Sequence, residues 1–239
     1  GENSTGNNFV DERLGSITGK VEEDTDNDDV GDKPLAGVTI TLLNRNGTVV
    51  ATTVTDSAGK FTFSDVPGGD FTLVQTNLPG FDDVSDSGGN PLDNRIPITL
   101  TPGGSSTGNV FVDERLGSIA GNVKEDLNND NIGDIDLSGV NVTLLDSTGA
   151  VVVSTLTNSN GNYKFSNLPS GIYTVAEKNL AGYTDVSDTE GSPLDNEIEV
   201  DLSAGENSTG NNFVDERLGS ITGKVEEDTD NDDLGDKPL

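Results

Sequence analysis

Apolar and polar residues alternate along most of the chain with a period of two, not 3.6. A period of two places successive side chains on opposite faces of a β-strand, so the pattern predicts strands and no helix. In the first hundred residues the alternating segments are 17–21, 38–42, 50–54, 61–63, 71–73 and 96–100, followed by a last strand at 109–113.

Turn-forming residues separate these segments. Asn46-Gly47 and Ala58-Gly59 interrupt the first half, and Pro67-Gly68-Gly69 and Pro102-Gly103-Gly104 interrupt the second. Such clusters mark the connections of antiparallel strands. About seven antiparallel strands in roughly 100 residues are typical of a β-sandwich.

The whole pattern repeats with a period of 102 residues. Gly15-Ser16-Ile17 recurs at Gly117 and again at Gly219, and residues 1–35 match 205–239 except that Leu234 replaces Val30. The repeat predicts an all-β chain of tandem sandwiches joined end to end. Its predicted parts are the last strand of a preceding module (1–14), module 1 (15–116), module 2 (117–218), and the first strand and loop of a following module (219–239).

An odd number of strands puts the two termini of a module at opposite poles. Successive modules are therefore expected to join end to end as a rod. Within each module, one pole holds the end of the last strand and, in module 1, loops 22–36, 55–60 and 77–95. Thirteen of the 16 acidic residues of module 1 fall at this pole. Like-charge repulsion there costs free energy that a multivalent cation would relieve.

Composition narrows the chemistry further. The 239 residues include 43 Asp and Glu, 13 Lys and Arg, and no His or Cys, for a formal net charge of −30. Without His or Cys there is no Ser-His-Asp triad, thiol nucleophile or usual zinc site. The negative charge disfavours binding to nucleic acid and to anionic membranes. No apolar run approaches the roughly 20 residues of a membrane helix. Neither nucleic-acid binding nor membrane insertion is therefore expected.

The first acidic loop has the ligand spacing of an EF-hand-type calcium loop. Acidic side chains occupy positions 1, 3, 5 and 9, and a backbone carbonyl stands at position 7. The candidate ligands of module 1 are Asp24, Asp26, Asp28, Val30 and Asp32. Their counterparts are Asp126, Asn128, Asp130, Ile132 and Asp134, and in the third copy Asp228, Asp230, Asp232, Leu234 and Asp236.

This loop departs from the EF-hand pattern twice. Position 6 is Asp29 in place of Gly, and Asp tolerates the positive φ needed there. Position 12 is Leu35, so another oxygen must replace the usual Glu. The candidates are the long loop, with Asp83, Asp86, Asp93 and their counterparts Asp185, Asp188 and Asp195, or else Glu23, Glu125, Glu227, Asp113 and Asp215.

Simpler interpretations remain open. The acidic loops could be solvated without a metal, and Asp113 and Glu114 could be exposed charges that pair with Arg115. If a metal binds, Ca²⁺ is expected rather than Mg²⁺, because many carboxylates in flexible loops suit six to eight ligands.

The combined motifs resemble a known family. G-S-I-x-G, the acidic loop, G-V-x-[IV]-T-L-L, G-x-[FY]-x-F and the final N-x-F-V-D-E are similar to the B-type repeats of serine–aspartate repeat surface adhesins, within the Cna-B group. The resemblance implies a Cna-B-type sandwich, Ca²⁺ in the loop at Asp24, Asp26, Asp28 and Asp32, and a stalk role at the cell surface, extracellular or secreted. Many Cna-B domains also carry a Lys–Asn isopeptide bond; Lys20 with Asn7 or Asn109 would be the pair, but Lys20 faces outward and its counterpart is Asn122.

Three functional alternatives follow. The chain is expected to be a non-enzymatic, calcium-rigidified stalk or fibre, since a catalytic site copied every 102 residues is unusual. It could instead be a filament subunit that exchanges strands between chains through the flanking pieces. A ligand-binding adhesive module is the third alternative. The expected partners are neighbouring copies of the same repeat protein, with any host or surface ligand bound through other domains.

Overall fold

Nine strands build the first repeat of the computed structural model, which describes residues 11–89, 93–191, 195–231, 233–235 and 237–238. The strands are β1 Gly15–Asp24, β2 Lys33–Pro34, β3 Thr39–Asn44, β4 Val49–Val54, β5 Lys60–Val66, β6 Gly69–Thr76, β7 Phe81–Asp86, β8 Arg95–Leu100 and β9 Ser105–Arg115. The described residues contain no helix, so none is long and apolar enough to span a membrane.

The second repeat has the same succession of strands. They are β10 Gly117–Asp126, β11 Ile135–Asp136, β12 Asn141–Asp146, β13 Val151–Leu156, β14 Asn162–Leu168, β15 Gly171–Lys178, β16 Tyr183–Asp188, β17 Glu197–Leu202, β18 Asn207–Ser208 and β19 Phe213–Arg217. Strands β18 and β19 together correspond to β9.

Two sheets face each other in each repeat. One sheet of the first repeat has the order β5-β1-β9-β7, with the short β2 beside β1, and the other has the order β4-β3-β6-β8. The second repeat has β14-β10-β19-β16 and β13-β12-β15-β17. The predicted all-β tandem sandwich is confirmed.

Two details differ from the sequence-based prediction. Strands β1 and β9 pair in parallel, because both run toward the acidic pole. The long loop expected at 77–95 contains β7, which pairs antiparallel with β9. The alternation in β7 is weak because its core-facing positions hold Phe81 and Asp83, one apolar and one acidic.

The core lies between the two sheets. Its fully buried members include Ile17, Val21, Leu42, Leu73 and Phe111. Each such side chain stabilises the fold by about 1.5–3 kcal/mol relative to exposure. Phe61 packs against Phe63 with ring centroids 6.2 Å apart. The second repeat has an equivalent core.

The structure describes only part of each flanking piece. Residues 1–10 lie outside the described residues, and residues 219–225 form no strand although the same sequence forms β1. Ile221, whose counterpart Ile17 is buried, is fully exposed. A first strand therefore needs its β5 and β9 partners, and the described part of the last copy has only the short pair β20 Glu226–Glu227 and β21 Lys237–Pro238.

Candidate metal centre

The first acidic loop is organised around the buried carboxylate of Asp24. Its Oδ1 accepts hydrogen bonds from the backbone N–H groups of Asp26 (3.1 Å) and Asn27 (2.8 Å), and its Oδ2 accepts one from Asp29 (2.8 Å). Asn27 and Asp29 have positive φ angles of 64° and 63°. The expected tolerance of a left-handed residue at position 6 is confirmed.

These bonds bring three carboxylates together. Oxygens of Asp24, Asp26 and Asp28 lie within 4.8 Å of one another, the only such acidic group of three in the described residues. The nearby charges of Asp28 and then Asp32 raise the pKa of Asp26. This unrelieved repulsion, in an all-oxygen donor set, is what a hard divalent cation would remove.

Asp32 closes the loop instead of joining this group. Its Oδ2 accepts hydrogen bonds from the backbone N–H (2.8 Å) and the hydroxyl (2.7 Å) of Thr25, which lower its pKa. Gly31 lies so close to Glu22 that a Cβ would come within 2.3 Å of the Glu22 Cβ. The Val30 N–H donates to Asp28 Oδ1 at 2.9 Å.

The same loop geometry recurs in the other copies. Asp126 accepts hydrogen bonds from Asn128, Asn129 and Asn131, and Asp134 accepts one from Leu127. Ile132 donates its N–H to Asp130 at 3.0 Å. In the last copy Asp228 accepts from Asp230, Asn231 and Asp233. The predicted ligands Asp232 and Asp236 lie outside the described residues.

A second acidic group is buried between the sheets just below this loop. Glu23, Asp113 and Asp83 occupy one rung across β1, β9 and β7. Asp113 is fully buried and accepts a hydrogen bond from the Gln75 side-chain amide of the opposite sheet. We call Gln75, Asp83, Asn94 and Asp113 the buried acidic cluster of module 1.

Several oxygens of this cluster have no hydrogen-bond partner. They are Oε1 of Gln75, Oδ1 of Asp83, Oδ1 of Asn94 and Oδ1 of Asp113. Burial raises the pKa of Asp113 to about 7, although the Gln75 hydrogen bond opposes the shift. Buried oxygens without hydrogen-bond donors are costly, and a bound cation is one way to satisfy such oxygens.

The cluster of module 2 carries one more carboxylate. Glu177 replaces Gln75, and Asp185, Asn196 and Asp215 occupy the positions of Asp83, Asn94 and Asp113. No N–H or hydroxyl group of the described residues has good hydrogen-bond geometry to the carboxyl oxygens of Glu177, Asp185 or Asp215. The backbone of Asn196 lies near Asp185, and Glu177 and Asp215 are close enough to share a proton. Burial and then the charge of Asp215 raise the pKa of Glu177, and burial raises that of Asp215.

The remaining candidate ligands surround the two groups. Glu23 pairs with Arg115 at 3.2 Å and Glu125 pairs with Arg217 at 3.2 Å, so these arginines contact the glutamates and not Asp113 or Asp215. The acidic side chains of the long loop accept hydrogen bonds from nearby backbone groups of the same loop. Asp86 accepts one from the Gly88 N–H, and Asp93 accepts one from the Arg95 N–H. Their counterparts Asp188 and Asp195 accept from Gly191 and Glu197, and Glu227 lies in β20.

Contacts also join the loop to the cluster. Ser85 on β7 donates its hydroxyl to the Asp29 carbonyl at 2.8 Å, and Ser187 donates to the Asn131 carbonyl at 3.0 Å. The predicted proximity of the two acidic loops at one pole therefore holds in both modules.

Sequence reasoning missed the cluster members on β6 and β15. Gln75 and Glu177 continue the inward-facing series that begins with Phe71 and Leu73 or with Tyr173 and Val175. A polar residue at the next core-facing position of an alternating strand was the available signal.

Tandem β-sandwich modules with a repeated acidic pole define a class of repeat proteins, and comparison with known proteins identifies the family. The model of the SdrD B-like domain matches residues 15–107 and 117–222. The chain belongs to the SdrD B-like domain family.

Curated relatives have the same affiliation. The chain is 32% identical over 185 residues to serine-aspartate repeat-containing protein F of Staphylococcus epidermidis, covering 73% of this chain and 11% of that protein. It is 32% identical over 188 residues to serine-aspartate repeat-containing protein D of Staphylococcus aureus strain Newman, covering 72% and 14%. The chain thus spans about an eighth of these relatives.

Solved structures show a more distant likeness. The structure of the streptococcal ancillary pilin aligns with 88% of this chain and 64% of its own, at 15% identity and a TM-score of 0.42.

Proposed function

We propose that this chain is a structural segment of an extracellular surface protein, in which each module binds Ca²⁺ in its first acidic loop and in its buried acidic cluster. The observation that carries the proposal is the set of buried oxygens without donors in both modules. All the atoms that would coordinate the metal are carboxylate or amide oxygens, which suit a hard cation.

The cluster residues have a definite task in this proposal. Asp83 and Asp113 come from β7 and β9 of one sheet, and Gln75 comes from β6 of the other. A cation held by these groups would tie the two sheets together at one pole. It would also replace the proton that burial otherwise favours on Asp113.

The first acidic loop and the last strand of module 1 both contact module 2. Ser170, in the turn between β14 and β15, donates its N–H to Glu114 Oε2 at 3.0 Å. The Ser170 hydroxyl lies within hydrogen-bonding reach of that oxygen and of Asn27 Oδ1 in the first loop of module 1. The Gly205 N–H also donates to the Arg115 carbonyl at 2.6 Å.

These contacts form the joint between modules 1 and 2. The joint at the start of module 1, where residues 11–14 contact it, has a similar geometry. The Gly68 N–H contacts Glu12 Oε1, and the Gly103 N–H donates to the Arg13 carbonyl at 2.7 Å. A joint used twice in one chain favours a regular stalk. An ordered loop at each joint would limit bending between modules, so Ca²⁺ would stiffen the whole segment. A non-catalytic role and an extracellular, cell-surface location follow from this proposal, with any adhesive ligand bound by other parts of the protein.

Calorimetric titration of the 239-residue chain with Ca²⁺ tests the proposal. Asp113→Asn with Asp215→Asn should remove the cluster sites and leave loop binding, whereas Asp28→Ala with Asp130→Ala should weaken loop binding and leave the clusters. Ser64→Ala with Ser166→Ala, on the exposed side of β5 and β14, is the matched control. Titration without binding heat, together with identical melting in Ca²⁺ and EGTA, would overturn the proposal.

A further inference from the structure

The outer edge strands of the second sheet, β4 and β13, have an unusual surface. Strand β4 pairs with β3 and β13 pairs with β12, and no other described strand pairs with either. One edge of each therefore presents backbone N–H and C=O groups outward. Such edges can pair with another chain and are normally blunted by Lys, Pro or bulges.

Strand β13 contains neither Lys nor Pro. Val151 is 66% exposed and Leu156 is 62% exposed, and Val152 and Val153 are exposed as well. Its pairing with β12 has one register shift near the start of the strand, where Val151 lies opposite Leu145 and Val153 lies opposite Leu144. The part from Val153 to Leu156 is in regular register and carries no charged side chain.

This edge is also the part of the chain with the least negative charge. Residues 147–176 contain no Asp or Glu and form the longest acid-free stretch; residues 33–55, which include β4, form the second longest. The nearest acid before β13 is Asp146, whose Oδ1 accepts hydrogen bonds from Thr148 and Ala150. In a chain of net charge −30, two copies repel each other least along these edges.

We infer that β13 pairs antiparallel with β13 of a second copy of this chain, so that stalks associate side by side. An uncharged strand lies opposite an equally uncharged one in a two-fold pair, which avoids the acidic poles. Antiparallel pairing is self-complementary, and a two-fold axis at Ser154 sets Val153 opposite Thr155 of the other copy, within the regular part of the strand. Pairs of β-branched side chains opposite each other stabilise a sheet.

The backbone geometry fits this register. The Thr157 N–H donates to the Val140 carbonyl. Hydrogen-bonded pairs alternate along an antiparallel ladder, so Thr155 and Val153 also point their backbone groups at β12. The backbone N–H and C=O groups of Ser154 and Leu156 therefore point outward, where a second copy can meet them.

The size of the contact sets its strength. A six-residue strand is about 20 Å long, and pairing two of them buries less than the roughly 1,200 Å² of a stable interface. A single contact is therefore weak. Because β4 repeats the edge 102 residues earlier, longer arrays gain avidity from several simultaneous contacts. The edge of β4 is the weaker one, since Ala51 replaces Val153.

Cysteine crosslinking tests the inference cleanly because the chain has no Cys. Ser154→Cys should give a disulfide-linked dimer under mild oxidation, since directly opposite Cα atoms in a hydrogen-bonded pair lie about 5.5 Å apart. Ile172→Cys is the control: Ile172 is 48% exposed but lies on β15, two strands from the edge. Dimer formation at least tenfold faster at 154 than at 172 is the expected result.

Sedimentation velocity of the otherwise unmodified chain over increasing concentration provides the second measurement. Self-association should strengthen with salt, which screens the net charge, and Ser154→Pro should abolish it by removing an outward N–H without touching the β12 ladder. Val152→Lys with Leu156→Lys tests the same edge without proline. Equal crosslinking at 154 and 172, a purely monomeric chain at all concentrations, or a dimer that survives both edge variants would overturn the inference.

Discussion

At the scale of single residues, the two modules provide a natural comparison. Their buried acidic clusters differ at one position, where module 1 has Gln75 and module 2 has Glu177. Gln75 donates a hydrogen bond to Asp113, whereas Glu177 adds a carboxylate beside Asp215. Without a cation, module 2 therefore has one more buried acid that must stay protonated, and with one it offers an additional anionic ligand.

Glu177→Gln should accordingly have opposite effects in the two conditions. In EGTA at neutral pH the variant should be more stable by about 1–4 kcal/mol, because Gln removes the free-energy cost of keeping a buried acid protonated. In Ca²⁺ its cluster should bind about tenfold more weakly, because one anionic ligand is lost. Thermal melting in both buffers and calorimetric titration check this, and Gln75→Glu should produce the reverse changes. Destabilisation of Glu177→Gln in EGTA would contradict the argument.

Removing a loop carboxylate should act on a different site. Asp28→Ala and Asp130→Ala should each lower loop affinity for Ca²⁺ by at least about tenfold, since even changes outside the first ligand shell cost roughly 10–100-fold. Melting in EGTA should hardly change, because both side chains are exposed. The measurement is calorimetric titration of the single variants, and unchanged affinity would exclude these residues as ligands.

At the scale of elements, the joint between modules depends on one turn. Ser170 connects that turn to Glu114 on β9 and to Asn27 in the first loop, whereas its counterpart Gly68 has no hydroxyl. The second joint thus has a side-chain connection that the first lacks.

Ser170→Gly should make the second joint like the first. The loss of hydroxyl hydrogen bonds should weaken the joint by about 0.5–1.5 kcal/mol, without unfolding either sandwich. Small-angle X-ray scattering should show a broader distribution of particle lengths, and Ser166→Gly in β14 is the control. An unchanged length distribution would show that Ser170 does not restrain the joint.

At the scale of the whole molecule, the buried acids are expected to make stability depend on both pH and calcium. Burial raises the pKa of Asp113 from 3.8 to about 7 and also raises the pKa values of Glu177 and Asp215. A carboxyl group with a raised pKa favours the folded state below its ordinary pKa, and this contribution is lost as the pH rises through the raised value.

In EGTA the melting temperature should therefore fall as the pH rises from about 5 to about 8. Ca²⁺ should reverse this trend, because it binds the deprotonated carboxylates that destabilise the metal-free protein. Melting across this pH range with Ca²⁺ and with EGTA, beside scattering of the same samples, provides the test. Parallel pH profiles in the two buffers would mean that calcium does not engage the buried acids.

The sequence by itself determined the sandwich class, the repeat and the first acidic loop. The loop could be recognised because its candidate ligands lie within nine residues and its hydrogen bonds are local. In the last copy Asp228 accepts the same three N–H bonds as Asp24, although residues 219–225 form no strand there. Strand β7 was missed because an acid interrupts its apolar series.

Only the tertiary structure decided what forms the buried acidic cluster. Gln75, Asp83 and Asp113 are separated by many residues and meet through the register of β7 on β9 and the packing of β6 across the core. The arginine partner of Glu23 and the Ser170 joint likewise depend on strand ends brought together by the fold. Alternation along a strand indicates which residues face inward, but the pairing register and the stacking of the sheets decide which of them meet.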